Sequence, residues 1–399
     1  MRISTTQIFN AGLDAMTRGQ SDLMKTQQQL ATGQRINSPS DDPSGAVQML
    51  QYREAIDAVE QYQKNADRAE FRLQATEGAL DQVGNNMQRI RELVLQANNA
   101  SQTTESRRSI AVEVEQLLAE VKDIANTRDA NGEYIFGGLN SLTRPFTRDA
   151  DGGVTFNGDG RTRSLQISPV RQLSIGESGG DVFMGIPAGN GTFEVRGDPG
   201  NSGEGRIGVS SVSNPGAWTD DTYAIEIAPE DAWTVYDSAG DVVATGVYQP
   251  DATIEFSGVS VSLSGRPADG DRFEVRPAGE DSVFEVYRRA IDALRSDTAG
   301  GPARARMNNE LAAVLQGIDQ ALAKVADTRS TVGARLGAIE TQRSINADHL
   351  LQLQTTLSEV RDVDYAEAIS RFNQQLTALQ AAQQSYAQVS RLSLFDFLR

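Results

Sequence analysis

The sequence predicts an α+β multidomain chain: a long discontinuous α-helical bundle or coiled coil built from both termini, with a hairpin-rich β domain inserted between its halves. Three observations carry this prediction. Apolar residues in both flanks recur at alternating steps of three and four, the spacing of a helical seam. Of 36 glycines and 12 prolines, 22 and 9 fall within residues 141–280, as do both tryptophans, so turn-forming residues are concentrated in one central block. At 399 residues the chain is long enough for two or three domains with cores of their own.

Taken in order, the first element is a helix that places Phe9, Leu13, Met16, Leu23 and Leu30 on one face. It ends in RINSPSDDPSGA, where Pro39 and Pro43 disfavour helical geometry at Ser38 and Asp42, and Ser40, Asp41 and Asp42 can cap the next helix. Two readings of this junction stay open. It is either a plain capping turn, or a hinge loop in which Arg35, Asn37, Asp41 and Asp42 contact a neighbouring subunit. The second helix carries the seam Tyr62, Ala66, Ala69, Leu73, Thr76, Leu80, Val83, Met87, Ile90, Val94, Ala97, and a third carries Ile110, Val114, Leu117, Val121 and Ile124.

The central block alternates strand-like runs with turn dipeptides, as in WTVYDSAGDVVATGVY and FSGVSVSLSGRPADGDRFEVRP. Its 10 basic and 21 acidic residues suit a solvated, outward-facing domain. A short helix is expected over residues 283–295. After it the seam Leu311, Leu315, Ile318, Leu322, Val325, Arg329, Val332, Leu336, Ile339, Arg343, Asn346, Leu350, Leu353, Leu357, Val360 runs without a slip. The polar members Arg329, Arg343 and Asn346 either fix helix register or reach out of the seam to water. The last helix aligns Ile369, Phe372, Leu376, Leu379 and Tyr386, and the final residues add Leu394, Phe395, Phe397 and Leu398.

Neither long helix can bury its stripe alone, so the flanks are expected to pack together. The domains then read as 1–43 plus 361–399 (terminal helices), 44–140 plus 281–360 (helical bundle) and 141–280 (outer β domain). The terminal helices can pair only with each other, or also with neighbouring copies. Two narrow helices have little capacity to bury several apolar faces, which favours packing between copies.

Composition removes much of enzyme space. The formal net charge of −17 disfavours nucleic-acid binding. The absence of cysteine excludes disulfides, thiolate metal sites and cysteine nucleophiles, and the single histidine, His349, cannot build a multi-histidine centre. DANGE (129–133) and DADGG (149–153) are short of a calcium loop, because neither continues to its distant glutamate. Arg196, Gly197 and Asp198 are read as turn residues. No catalytic residue, cofactor or metal is expected. The first residues lack the apolar core of a cleavable signal peptide, and residues 372–390 are too rich in Gln, Asn, Ser and Thr to insert in a membrane.

Particular residues add to this pattern. QLATGQRINSPSDDPSGA (29–46) resembles the turn between the first helices of bacterial flagellins. LSEVRDVDYAEAISRF (357–372) resembles the matching C-terminal junction, and RSTVGARLGAIETQ (329–342) the helix before it. NGEYIFGG (131–138), the block VSVSLSGRPADGDRFEVRP (259–277) and the ending SLFDFLR are similar to the hook-associated branch of the flagellin family, with filament flagellin as the alternative. The resemblance implies a structural axial protein at the hook–filament junction, forming a homo-oligomer with its terminal helices inward. It also implies another hook-associated protein on the hook side and flagellin on the filament side. Export through the flagellar type III apparatus to the extracellular flagellum is implied too, with a cytosolic export chaperone on the C-terminal helix. No reaction is implied. An adhesin role for the β domain is a further possibility, though no aromatic stripe demands it.

Overall fold

The computed structural model describes residues 5–149 and 152–396, and it is an α+β chain with long helices at both ends and antiparallel strands between them. The helices are α1 (Thr5–Thr32), α2 (Pro43–Ala97), α3 (Thr104–Ala125), α4 (Val283–Arg295), α5 (Gly301–Arg361) and α6 (Tyr365–Asp396). Helix α3 starts before the apolar series suggests, because Thr103 caps it: its Oγ1 accepts the Ser106 N–H at 3.1 Å. Ser282 caps α4 in the same way, accepting the Glu285 N–H at 3.0 Å. The chain forms two compact units, Met1–Lys64 with Gln342–Arg399, and Asn65–Thr341.

In the larger unit the α2 seam is the centre of the core, with Ala66, Ala69, Leu73, Thr76, Leu80, Val83, Met87, Ile90 and Val94 all fully buried. Helix α5 buries Leu311, Ile318, Val325, Val332 and Ile339 against it, while Leu315, Leu322 and Leu336 are half-buried. Every second seam position is thus at the edge. Arg329 occupies one of these edges and reaches outward to Glu77 at 2.7 Å and Asp81 at 2.9 Å. Helices α3 and α4 pack side by side and close the bundle, and the buried Tyr287 hydroxyl donates to Asn86 Oδ1 at 3.0 Å.

The strand-rich stretch divides between two cores. Its first part comprises the hairpins β1 (Phe146–Arg148) with β2 (Val154–Phe156) and β3 (Ser164–Ser168) with β4 (Arg171–Ser174). A π-helical turn (Gly180–Met184) and β5 (Ile186–Pro187) follow. All of these join the helical core, where the rings of Phe146, Phe183 and Phe284 lie 5.2–6.0 Å apart. The remainder is a two-sheet sandwich over its own core of Phe193, Tyr223, Ile225, Val235, Phe256, Val261, Leu263, Phe273 and Val275.

The strands after β5 are β6 (Phe193–Gly197), β7 (Arg206–Val212), β8 (Tyr223–Ala228), β9 (Ala232–Tyr236) and β10 (Val242–Val247), then β11 (Thr253–Phe256), β12 (Val259–Ser264), β13 (Arg272–Pro277) and β14 (Glu280–Asp281). One sheet has the order β10-β9-β8-β13-β6, the other β11-β12-β7, and β14 returns to pair with β5. Alternate residues of β12 face the core, as period-two patterning requires. The β11–β12 turn places Ser257 and Gly258 at φ 41° and 78°, the two positive angles of a tight hairpin.

The smaller unit contains α1, α6, the start of α2 and the end of α5, around a modest core of Ile36, Met49, Ile56 and Leu357. Among the described residues no helix is long and apolar enough to cross a membrane.

Candidate functional site

Two features of the smaller unit stand out: the paired terminal helices and the double turn from which they emerge. Helices α1 and α6 pack along each other, with the rings of Phe9 and Tyr386 5.1 Å apart. Gly12 and Gly19 are the close points. A Cβ on Gly12 would lie 3.2 Å from the Tyr386 ring, and one on Gly19 3.7 Å from Leu379. Yet the pair leaves its apolar stripe open. Phe9, Leu13 and Ile369 are 45–50 % exposed, and Met16, Leu23, Leu30, Phe372, Leu376, Leu379 and Tyr386 are half-buried. The side chains of Leu394 and Phe395, and Phe397 and Leu398 altogether, lie outside the described residues. Two helices side by side have one contact line, so these side chains are only partly covered by the pairing.

The turn after α1 opens with Gly33 at φ 71°, whose N–H bonds the Gln29 carbonyl at 2.9 Å, a left-handed helix stop. The chain then meets the second turn, between α5 and α6. Arg35 N–H donates to Arg361 O at 2.7 Å, Val363 N–H to Gly33 O at 3.0 Å, and Gln34 and Asp362 form an antiparallel bridge. The Arg35 guanidinium adds bonds to Val360 O at 2.9 and 3.2 Å. The two junctions therefore form a single clasp, and Ile36 plugs into the small core beneath it.

Each acidic residue of the clasp has defined work. Asp41 accepts the N–H groups of Asn37 (3.2 Å) and Ser38 (2.9 Å) and pairs with Lys25 at 3.1 Å. The Ser38 N–H and the Lys25 ammonium hold its carboxyl below the usual range. Asp42 caps α2 by accepting Gly45 N–H at 2.9 Å, so the Gly45 N–H first and the Ser44 hydroxyl next lower its pKa, and Arg35 pairs with it at 3.2 Å. Asn37 accepts from the Thr32 hydroxyl and donates to Gln34 O. Arg35, Asn37, Asp41 and Asp42 each have partners within the same chain. On the second turn, Arg361 and the Ser358 hydroxyl lower the pKa of Asp362, and Asp364 caps α6 through Ala366 N–H and Glu367 N–H.

The second half of the clasp was visible in the sequence only through the resemblance of residues 357–372, and two buried polar residues, Thr26 and Gln29, were missed. Gln29 Nε2 donates to Arg35 O at 2.7 Å. A signal existed: Asp364 with Glu367 three residues on is a capping-box spacing, and Gly33 follows the last helical residue. The other motifs resolve into structure. Asp129 and Glu133 of DANGE pair with buried Arg72, and Arg196 of the RGD tripeptide pairs with Glu194. Of DADGG, residues 150–151 lie outside the described residues. Among the described residues no cluster of three or more metal-binding side chains occurs.

Comparison with known proteins agrees with this geometry. Residues 3–141 match the bacterial flagellin N-terminal helical region and residues 315–398 the C-terminal helical region. Flagellar hook-associated protein 3 of Escherichia coli K12 is 25 % identical over 99 % of each chain. Among solved structures, FlgL of Xanthomonas campestris is 32 % identical with a TM-score of 0.73, covering 77 % of this chain and 99 % of that one. The flagellar junction protein FlgL of Legionella pneumophila is 31 % identical with a TM-score of 0.73, covering 79 % and 100 %.

Proposed function

The chain belongs to the bacterial flagellin family, and from that premise we propose that it acts as the hook-associated protein 3 of its flagellum, a structural axial subunit joining hook to filament. The observation that carries this reading is the similarity to a named junction protein over the whole of its solved chain and 79 % of this one. The half-exposed stripe of α1 and α6 supports it physically, since apolar area of this kind gains roughly 25 cal/mol per Å² when covered. Neighbouring copies are the natural cover. In this reading the clasp holds the terminal pair in one orientation for stacking, and Arg35 and Asp42 serve that geometry from within the chain.

The same reading carries the partners: a homo-oligomer, a second hook-associated protein on the hook side, flagellin on the filament side, and an export chaperone on the C-terminal helix before assembly. It places the protein in the extracellular flagellum, exported without a cleavable signal peptide, and gives it no reaction. The test is electron microscopy of a strain lacking only this chain. Hooks without filaments, with filament protein shed into the medium, are expected. Normal hooks bearing normal filaments would reject the reading. Filament flagellin is distinguished by purified subunit, which would elongate long filaments alone.

A further inference from the structure

Helix α2 carries an unusual residue away from the terminal stripe. Phe71 is 72 % exposed in the middle of a helix whose other face is fully buried. Eighteen residues are five full turns, so Phe71 shares its azimuth with Arg89, which pairs with Glu113 of α3 at 2.7 Å. Phe71 therefore projects on the α3 flank of α2.

On the opposite flank, α2 and α5 leave a groove of about 380 Å³ between Gly84, Asn85, Gln88, Ala323, Ala326 and Arg329. The α5 side of α2 is marked by Arg91, whose Nε donates to Asp319 at 2.8 Å. A cavity of about 150 Å³ already accepts a benzene ring, so the groove has room for a phenyl side chain. We propose that Phe71 of one copy seats in the α2–α5 groove of the next copy, in a side-by-side contact with the helices parallel. This rests on the self-assembly reading above and specifies one contact within it.

Charge placement supports the parallel register. Arg68 lies three residues before Phe71, and Asp81 three residues before Gly84, so seating Phe71 at Gly84 brings Arg68 level with Asp81. Arg68 is exposed. Asp81 is 50 % exposed and shares Arg329 with Glu77, whose Oε2 is buried without a hydrogen bond. Two carboxylates facing one guanidinium leave a net negative charge for Arg68 to meet. Asp67, also near Phe71, is already engaged within its own chain. Because the contact is parallel and offset by thirteen residues, a twofold axis cannot generate it, and it propagates from copy to copy. The thirteen-residue offset sets a stagger of about 20 Å between neighbours.

The chain has no cysteine, so a cysteine pair reports the contact cleanly. Flagella are isolated from cells carrying full-length Phe71→Cys with Ala326→Cys, oxidised, and run on a non-reducing gel. A ladder of dimers, trimers and larger species is expected, and none from either single variant or from Phe71→Cys with Val112→Cys on α3. Incorporation without a ladder overturns the contact and leaves the junction reading standing. A dimer from Phe71→Cys alone also overturns it, because that requires a twofold contact. If wild-type chain is absent from flagella, the junction reading itself falls. Should the cysteine pair not incorporate, Arg68→Glu decides: incorporation should drop by up to about fivefold, the worth of an exposed ion pair, and recover with Asp81→Lys added. Failure of the folded double variant to recover overturns the contact.

Discussion

Replacing Ile36 with alanine tests whether the clasp is seated by its apolar plug. Ile36 is 4 % exposed in the turn between α1 and α2, packed with Met49, Ile56 and Leu357. Isoleucine-to-alanine changes in cores cost about 2–5 kcal/mol, and this core is small with half-buried neighbours able to relax, so about 2–3 kcal/mol applies. At 1.4 kcal/mol per factor of ten, the opening equilibrium of the clasp should rise roughly 30- to 150-fold. Hydrogen exchange of the Arg35 and Val363 amides reads this directly, because they bond across the two turns to Arg361 and Gly33. Amides of α3, in the other compact unit, are the internal reference. Unchanged protection at Arg35 and Val363 would refute the plug. Equal loss of protection in α3 would refute a local opening of the clasp.

Gly33→Ala should destabilise the clasp by about 1–2 kcal/mol, the cost of a left-handed non-glycine residue. Its φ is 71° and its new Cβ would lie 2.9 Å from the Tyr365 hydroxyl, so trypsin cleavage at Arg35 should accelerate; an unchanged rate would count against the strain. Tyr287→Phe leaves the buried Asn86 Oδ1 without its donor and should cost about 1–3 kcal/mol, seen as a lower urea midpoint at unchanged slope. An unshifted midpoint would show that the hydroxyl is not needed there. The clasp should also weaken in acid. Asp41 and Asp362 have pKa values lowered from 3.8, so their contribution is present above that value and is lost as pH falls through the lower folded values. The Asn37 and Ser38 amide shifts should titrate with a midpoint below 3.8, and a midpoint at or above it would refute the assignment.

Much of the architecture was legible in the sequence because it depends on periodicity. The α2 seam from Ala66 to Ala97 is buried residue for residue, since a helix in a bundle centre presents its apolar stripe to the core on every turn. The α5 seam was legible only in part. Its period is right, but α5 covers one side of the bundle, so Leu315, Leu322 and Leu336 are at the margin and Arg329 turns out to two carboxylates. The strand-rich block was visible from its glycines and hairpin turns. That residues 146–187 pack on the helices while 193–277 form a sandwich was not, because both parts share the same local chemistry and differ only in what their apolar faces meet.

The candidate site divides along the same line. RINSPSDDPSGA announces a helix break and caps by residue type alone, since proline and short acidic side chains act within a few residues of themselves. The sequence by itself therefore determined the helical seams, the turn at residues 34–42, the hairpin-rich block, and the apolar stripes of α1 and α6. Only the tertiary structure decided that this turn closes on residues 360–363, that Arg35 meets Val360 and Asp42, and that Ile36 plugs the clasp. The physical reason is separation along the chain. Periodicity and capping are written in neighbours, whereas the clasp joins residues more than 300 positions apart, in large part through backbone groups that every residue possesses.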